Sequence, residues 1–255
     1  MQTFHYDSEW LNHLLPQGMV VPSSTLISGE GGSGKPLIGF TIISSWLKQG
    51  GNVIFLLTST GKDFVDQTFR EVYGLNIGDF KKQLRFVQLD PDMPVNAEPT
   101  PFDSWSTPSR VNLVNPENWD KAIAQAEKQW KGSDGPGTLV FGAALNLMLF
   151  SKTYGDAVLD KFEKMTRDDK TRSYLFTVST SALADKIEVL EKAADNLMFT
   201  RNEKPMKLFL RIERMKAKPF DDNEVEVPLS QQDLQTIKKL AEGSRSNLIP
   251  KIRKI

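Results

Sequence analysis

The chain has 255 residues, enough to bury a full core in one domain, and its 32 Lys+Arg are balanced by 32 Asp+Glu. That balance argues against a body coated for nucleic acid, because phosphate contacts need a basic face; only a local basic patch stays open. With no cysteine, disulfides, thiolate chemistry and Cys-based zinc sites are excluded.

The opening MQTFHYDSEW lacks the basic start and apolar core of a signal peptide. The longest apolar run, 138–150, is too short to span a bilayer. A cytoplasmic protein without a membrane partner is therefore expected. His5 and His13 read as one surface and one packed residue rather than a metal pair.

Residues 25–28 (TLIS) read as a short strand running into GEGGSGKP, followed by a helix over 37–48 that Gly50-Gly51 stops. NVIFLL (52–57) has the continuous apolar character of a strand buried on both faces. Residues 63–73 place Phe64, Val65, Thr68, Phe69 and Val72 on one helical face, and LRFVQL (84–89) reads as a third strand. The βαβαβ order predicts a parallel sheet with right-handed crossovers.

The stretch 90–115, with prolines at 91, 94, 99, 101 and 108, breaks this rhythm and reads as a functional or disordered loop. Within it Phe102 and Trp105 are read as pinning the loop to the body, with partner docking or base stacking as the alternative.

Asn115-Pro116 then resembles an N-cap with Pro at the first helical position, leading a helix whose stripe is Trp119, Ile123, Ala126 and Trp130. GSDGPG turns into the strand TLVFGAAL. A helix over 155–166, a strand over 173–179 and a helix over 182–194 follow. Segments 197–200 and 207–215 flank NEKP as a hairpin, 224–229 adds a strand, and Ser230 with Asp233 forms a capping box for a last helix ending at Gly243. The basic tail 244–255 is read as solvated or as touching an acidic partner. A single domain over 1–243 is expected.

Gly29-Glu30-Gly31-Gly32-Ser33-Gly34-Lys35 matches the first seven positions of a P-loop, set between a strand and a helix. Glycines let successive N–H groups turn inward, the helix N-terminus adds positive partial charge, and Lys35 would pair with the β- and γ-phosphates. The eighth position departs from the pattern. Pro36 replaces the Ser or Thr that ligates Mg²⁺, removes one N–H from the cradle, and disfavours helical torsions at Lys35. A second metal carboxylate is expected at the end of a later apolar strand. The expected position after Leu139-Val140-Phe141 holds Gly142, and no Asp or Glu occurs from 135 to 155.

DSEWLNHLLPQGMVVPSSTLISGEGGSGKP, GGNVIFLLTST and LFLRIERMKAKPF together resemble KaiC-like ATPases of the RecA superfamily. The resemblance implies an α/β RecA-like P-loop NTPase fold, with a mostly parallel central sheet flanked by helices and antiparallel C-terminal strands. It implies ATP or another nucleotide at Gly29–Pro36, and a homo-oligomeric ring with the nucleotide at subunit boundaries. In that family acidic residues after the second strand polarise the attacking water; Thr58-Ser59-Thr60 stand there, with Asp63 and Asp66 as possible substitutes. A basic-Met-basic run that reaches a neighbour's γ-phosphate corresponds to Arg214-Met215-Lys216, with ordinary strand alternation as the equal alternative. Three degraded features point to a regulatory or assembly subunit that binds nucleotide without hydrolysing it and has a protein partner, and Mg²⁺ is disfavoured. An active Mg-ATPase of an oligomer and a DNA-binding recombinase paralogue are the alternatives.

Overall fold

A computed structural model describes residues 2–132, 135–204, 207–244 and 248–255. A small antiparallel ribbon pairs β1 (Gln2–Phe4) with β2 (Met19–Val21) around helix α1 (Glu9–Leu14). The chain then enters the main sheet at β3 (Ser24–Gly29) and crosses through α2 (Lys35–Lys48) to β4 (Asn52–Leu57). It continues through α3 (Lys62–Tyr73) to β5 (Leu84–Leu89) and reaches the edge at β6 (Ser109–Val111). It returns by α4 (Glu117–Glu127), β7 (Thr138–Ala143), a 3₁₀ turn (Leu145–Phe150), α5 (Gly155–Arg167), β8 (Ser173–Ser179) and α6 (Ala184–Ala193). β9 (Asn196–Glu203), β10 (Lys207–Arg214) and β11 (Val225–Glu226) close the sheet, and α7 (Gln231–Ser244) and α8 (Ile249–Ile252) end the chain.

The strands lie in the order β11-β10-β9-β3-β8-β7-β4-β5-β6. Every pair from β9 to β6 is parallel, whereas β9-β10 and β10-β11 are antiparallel. Successive strand side chains point to opposite faces, and the two cores separate accordingly. Val53, Phe55, Leu57, Leu139, Phe141 and Leu175 face a core shared with α1, α2, α3 and α7. Ile54, Leu56, Val140, Tyr174, Phe176 and Val178 face the core covered by α4, α5, α6 and α8. Burial on both faces is the reason these strands read as unbroken apolar runs.

Caps follow the local chemistry. Asn115 Oδ1 accepts from the Glu117 N–H at 3.1 Å, but the cap position is Pro116 and α4 begins at Glu117, one residue later than expected. Ser230 and Asp233 bond reciprocally, each backbone N–H to the other's side chain at 3.0 Å. Gly74 ends α3 in the left-handed region.

Four expectations change. The 90–115 stretch contains β6, whose Val111 pairs with Leu89, while Phe102 and Trp105 pack against the two cores as the pinning reading expects. The strand expected over 224–229 is only the two-residue β11. The described part of the basic tail folds back as α8, with Ile252 fully buried, Lys251 paired to Asp92 at 2.6 Å and Arg253 over the Phe150 ring. His5 and His13 are both exposed. The GSDGPG and NEKP turns lie partly outside the described residues.

Candidate nucleotide site

The sequence GEGGSGK leaves β3 at its carboxyl end and opens α2, the place where open α/β sheets present ligand crevices. Gly32 (φ +81°) and Gly34 (φ +64°) take left-handed torsions that turn the loop back toward the helix axis. At Gly34 a Cβ would also come within 2.8 Å of Leu208 on β10. The loop is braced from the neighbouring strands. Gly31 N–H donates to Ser181 Oγ at 2.8 Å, Ser33 Oγ lies 2.8 Å from Thr200 Oγ1, and Asn202 Nδ2 donates to the Gly32 carbonyl at 2.6 Å.

Lys35 is 6% exposed. Its ammonium donates to the carbonyls of Gly29 (2.9 Å) and Glu30 (2.5 Å) and to Ser33 Oγ (3.1 Å). Burial pulls its pKa down to about 8, with the Glu30 carboxylate opposing. The groups bonded directly to the ammonium are neutral dipoles, and the one full counter-charge within the loop is the Glu30 carboxylate. Pro36 sits in the first turn of α2, where its missing N–H costs the helix no bond.

A cleft of about 1080 Å³ spreads from Gly31–Leu37 across the carboxyl ends of β8, β7 and β4. Phe40, Leu57, Phe64 and Phe141 line its depth, and Leu234, Ile237 and Ala241 of α7 cover it. Polar groups are few: Ser59, Thr60, Thr177, Ser179 and Asn146 on the walls, and Asn202, Glu203, Lys204, Lys238 and Glu242 at the rim.

The carboxylate position needs a correction by one residue. Strand alternation turns Gly142 away from the cleft, where a Cβ would strike Leu145 and Phe176, and it is Ala143 that lines the cleft. Neither can hold a metal. Thr58 Oγ1 is spent on the Ala143 carbonyl at 2.7 Å. Phe64 and Val65 face the cleft, whereas Asp63 is exposed and Asp66 is bonded to Arg70 at 3.2 Å. Helical spacing thus leaves both acids outside.

Arg214 and Lys216 lie at the far end of the strands: Arg214 pairs with Leu197 near the start of β9, while Gly29 pairs with Thr200. Arg214 donates to the carbonyls of Glu191 and Ala194 at the end of α6, and Lys216 pairs with Asp195 at 3.1 Å. Cations there satisfy the orphan carbonyls and the negative end of the helix.

Asn146 is among the residues that escaped sequence reasoning. It is 4% exposed and lines the cleft; its Nδ2 reaches the Ser179 carbonyl at a long 3.4 Å, and its Oδ1 has no hydrogen-bond partner. A buried amide oxygen left unpaired costs about 1–3 kcal/mol, so it asks for a donor from a ligand or water. Its signal was an isolated polar residue inside an apolar run.

Residues present therefore fit an anion with a hydrogen-bonding body, through the loop amides, Lys35 and Asn146. They do not fit Mg²⁺, which is held through carboxylates and a P-loop hydroxyl. Among the described residues no group of three or more His, Asp or Glu could hold a metal ion. No helix among them is long and apolar enough to cross a membrane.

No protein-family model matches the chain, and no curated protein matches it. Its fold is similar to that of a KaiC-like protein from the hyperthermophilic archaeon Pyrococcus horikoshii OT3, at TM-score 0.62 and 11% identity, covering 88% of this chain and 94% of that one. It is equally similar to the flagellar accessory protein FlaH from Methanocaldococcus jannaschii, at TM-score 0.62 and 13% identity, covering 88% and 92%. The chain shares with both the RecA-like α/β fold, a mostly parallel nine-stranded sheet flanked by helices with antiparallel C-terminal strands.

Proposed function

We propose that this chain is a nucleotide-binding subunit of the RecA/KaiC type whose site binds without hydrolysing, and that it acts through regulation or assembly with a partner, a second copy or another protein. The observation that carries the reading is a braced Gly29–Lys35 loop opening onto a cleft whose inner wall is Leu57, Phe141 and Ala143 rather than acids. Phosphate oxygens would take the loop N–H groups and draw Lys35 from the Gly29 and Glu30 carbonyls. Phosphoryl transfer relies on charge stabilisation and on a positioned water. With Pro36, Ala143 and Thr58 at the three places that serve those ends, binding survives and turnover does not.

Calorimetric titration with ATP, run beside a steady-state hydrolysis assay, tests this. Wild type should bind, Lys35→Ala should bind at least tenfold more weakly, and neither should turn over. Steady-state hydrolysis that disappears in Lys35→Ala would sink the non-hydrolysing reading.

A further inference from the structure

The cleft has lost its metal ligands, yet lysines surround it from three separate elements. We infer that the site takes its polyphosphate without a divalent cation, and that Lys238 of α7 supplies part of the positive charge a metal would bring. This rests on the nucleotide reading above.

A nucleoside triphosphate carries several negative charges, and in phosphoryl-transfer sites a metal bridges the β- and γ-oxygens and neutralises them. Here that role falls to side chains. Lys35 stands at the N-terminus of α2, Lys204 at the end of β9, and Lys238 on α7, and all three line the same cleft. Lys204 is placed by its neighbour Asn202, which is bonded to the Gly32 carbonyl. Lys238 follows Ile237, which is buried, and lies four residues after Leu234, which also faces the cleft. Helical spacing therefore keeps Lys238 on the cleft-facing side.

Neither Lys204 nor Lys238 has an ion-pair partner among the described residues. Two acids share the rim. Glu203 is already paired with Arg201 at 3.0 Å, and Glu242 lies one turn beyond Lys238. Glu30 adds a third acid within the loop, where its carboxylate acts on Lys35, so the positive charge open to a polyphosphate lies chiefly on Lys204 and Lys238. The unpaired Asn146 Oδ1 is a second, independent sign of a ligand, since a nucleotide or its bound water supplies the donor it lacks.

Because α7 forms one wall of the cleft, occupancy and α7 docking are linked: a ligand that touches Lys238 binds the docked state better and shifts the chain toward it. The test uses the full chain and ATP, in EDTA and in excess Mg²⁺, with affinity read by calorimetry and α7 by amide hydrogen exchange. Affinity should agree within about threefold between the two buffers, and ATP in EDTA should slow exchange in α7. Lys238→Ala should weaken binding about tenfold while leaving the melting temperature unchanged, because the side chain is exposed, and Lys238→Arg should restore it. Binding that appears only with Mg²⁺ would overturn the inference. So would a Lys238→Ala variant that binds as wild type with no ATP-dependent slowing in α7. No binding by wild type in either buffer would instead remove the nucleotide reading, and the inference with it.

Discussion

Lys35 is the residue where structure and titration meet. Unfolded, its ammonium has the ordinary value of 10.5; folded, burial brings it to about 8. Below pH 8 the lysine is charged in both states, so the desolvation cost of the buried charge is fully present. As pH rises through about 8 the folded state releases its proton first, and stability increases until about 10.5. The whole effect is about 3 kcal/mol at 1.36 kcal/mol per unit. Urea titrations at pH 7 and pH 9 should show wild type gaining about 1 kcal/mol relative to Lys35→Met, whose site does not titrate. Anion affinity should move the other way, falling about fivefold from pH 8 to pH 9 as the charged fraction of Lys35 drops, since a neutral lysine cannot pair with phosphate. A pH-independent difference between the two proteins would show that Lys35 is solvated rather than buried. The loop itself was legible in the sequence, because its glycines and lysine carry a local mechanism. Asn146 was not, because its importance comes from an unpaired oxygen that only tertiary packing reveals.

At the scale of elements, α2 meets the sheet across a glycine. A Cβ at Gly39 would lie 2.6 Å from Cε2 of Phe141, a ring only 1% exposed and wedged against Phe40 and Phe55 at centroid distances of 5.6 and 5.5 Å. The ring's way out is toward the cleft that it lines, so a Cβ here would disturb the site as well as the core. Gly39→Ala gains about 1 kcal/mol of helix propensity but overpacks the core by about 1–3 kcal/mol. The expected net outcome is a loss of about 1 kcal/mol in urea denaturation, together with weaker ATP binding because α2 carries Lys35. A more stable variant would mean that α2 can shift outward freely. The elements that could be read from sequence are those with a strong local period: α3 with Phe64, Val65, Thr68 and Phe69 inward, α5 with Val158, Phe162 and Met165 inward. β7 shows the limit. An unbroken apolar run identifies a doubly buried strand but cannot say which residue faces which side, and so the cleft position was placed at Gly142 instead of Ala143. β6 left no local trace at all, being three residues among prolines that pair only because β5 offers an edge.

Across the whole molecule the parallel order of the sheet followed from alternating strands and helices, whereas the fate of the C-terminus did not. α7 lies along α3 on one side of the cleft, and α8 lies against the 3₁₀ turn on the other. The contact of α7 with the body is slender. Ile237 is 9% exposed, while Leu234, Leu240 and Ala241 are only partly buried. By contrast β3, β4 and β8 are buried almost throughout. Since local opening costs follow the apolar contact that must be broken, the helix that forms one wall of the site should open far more readily than the sheet that carries the loop. Native-state hydrogen exchange should therefore place α7 amides several kcal/mol below those of β3 and β4. Ile237→Ala should speed α7 exchange by a further factor of about 30 or more, the equivalent of roughly 2 kcal/mol of lost side-chain burial, while β4 is unchanged. Equal protection of α7 and β4 would show that the helix unfolds only with the whole domain. A ligand would then have to enter the cleft with α7 docked.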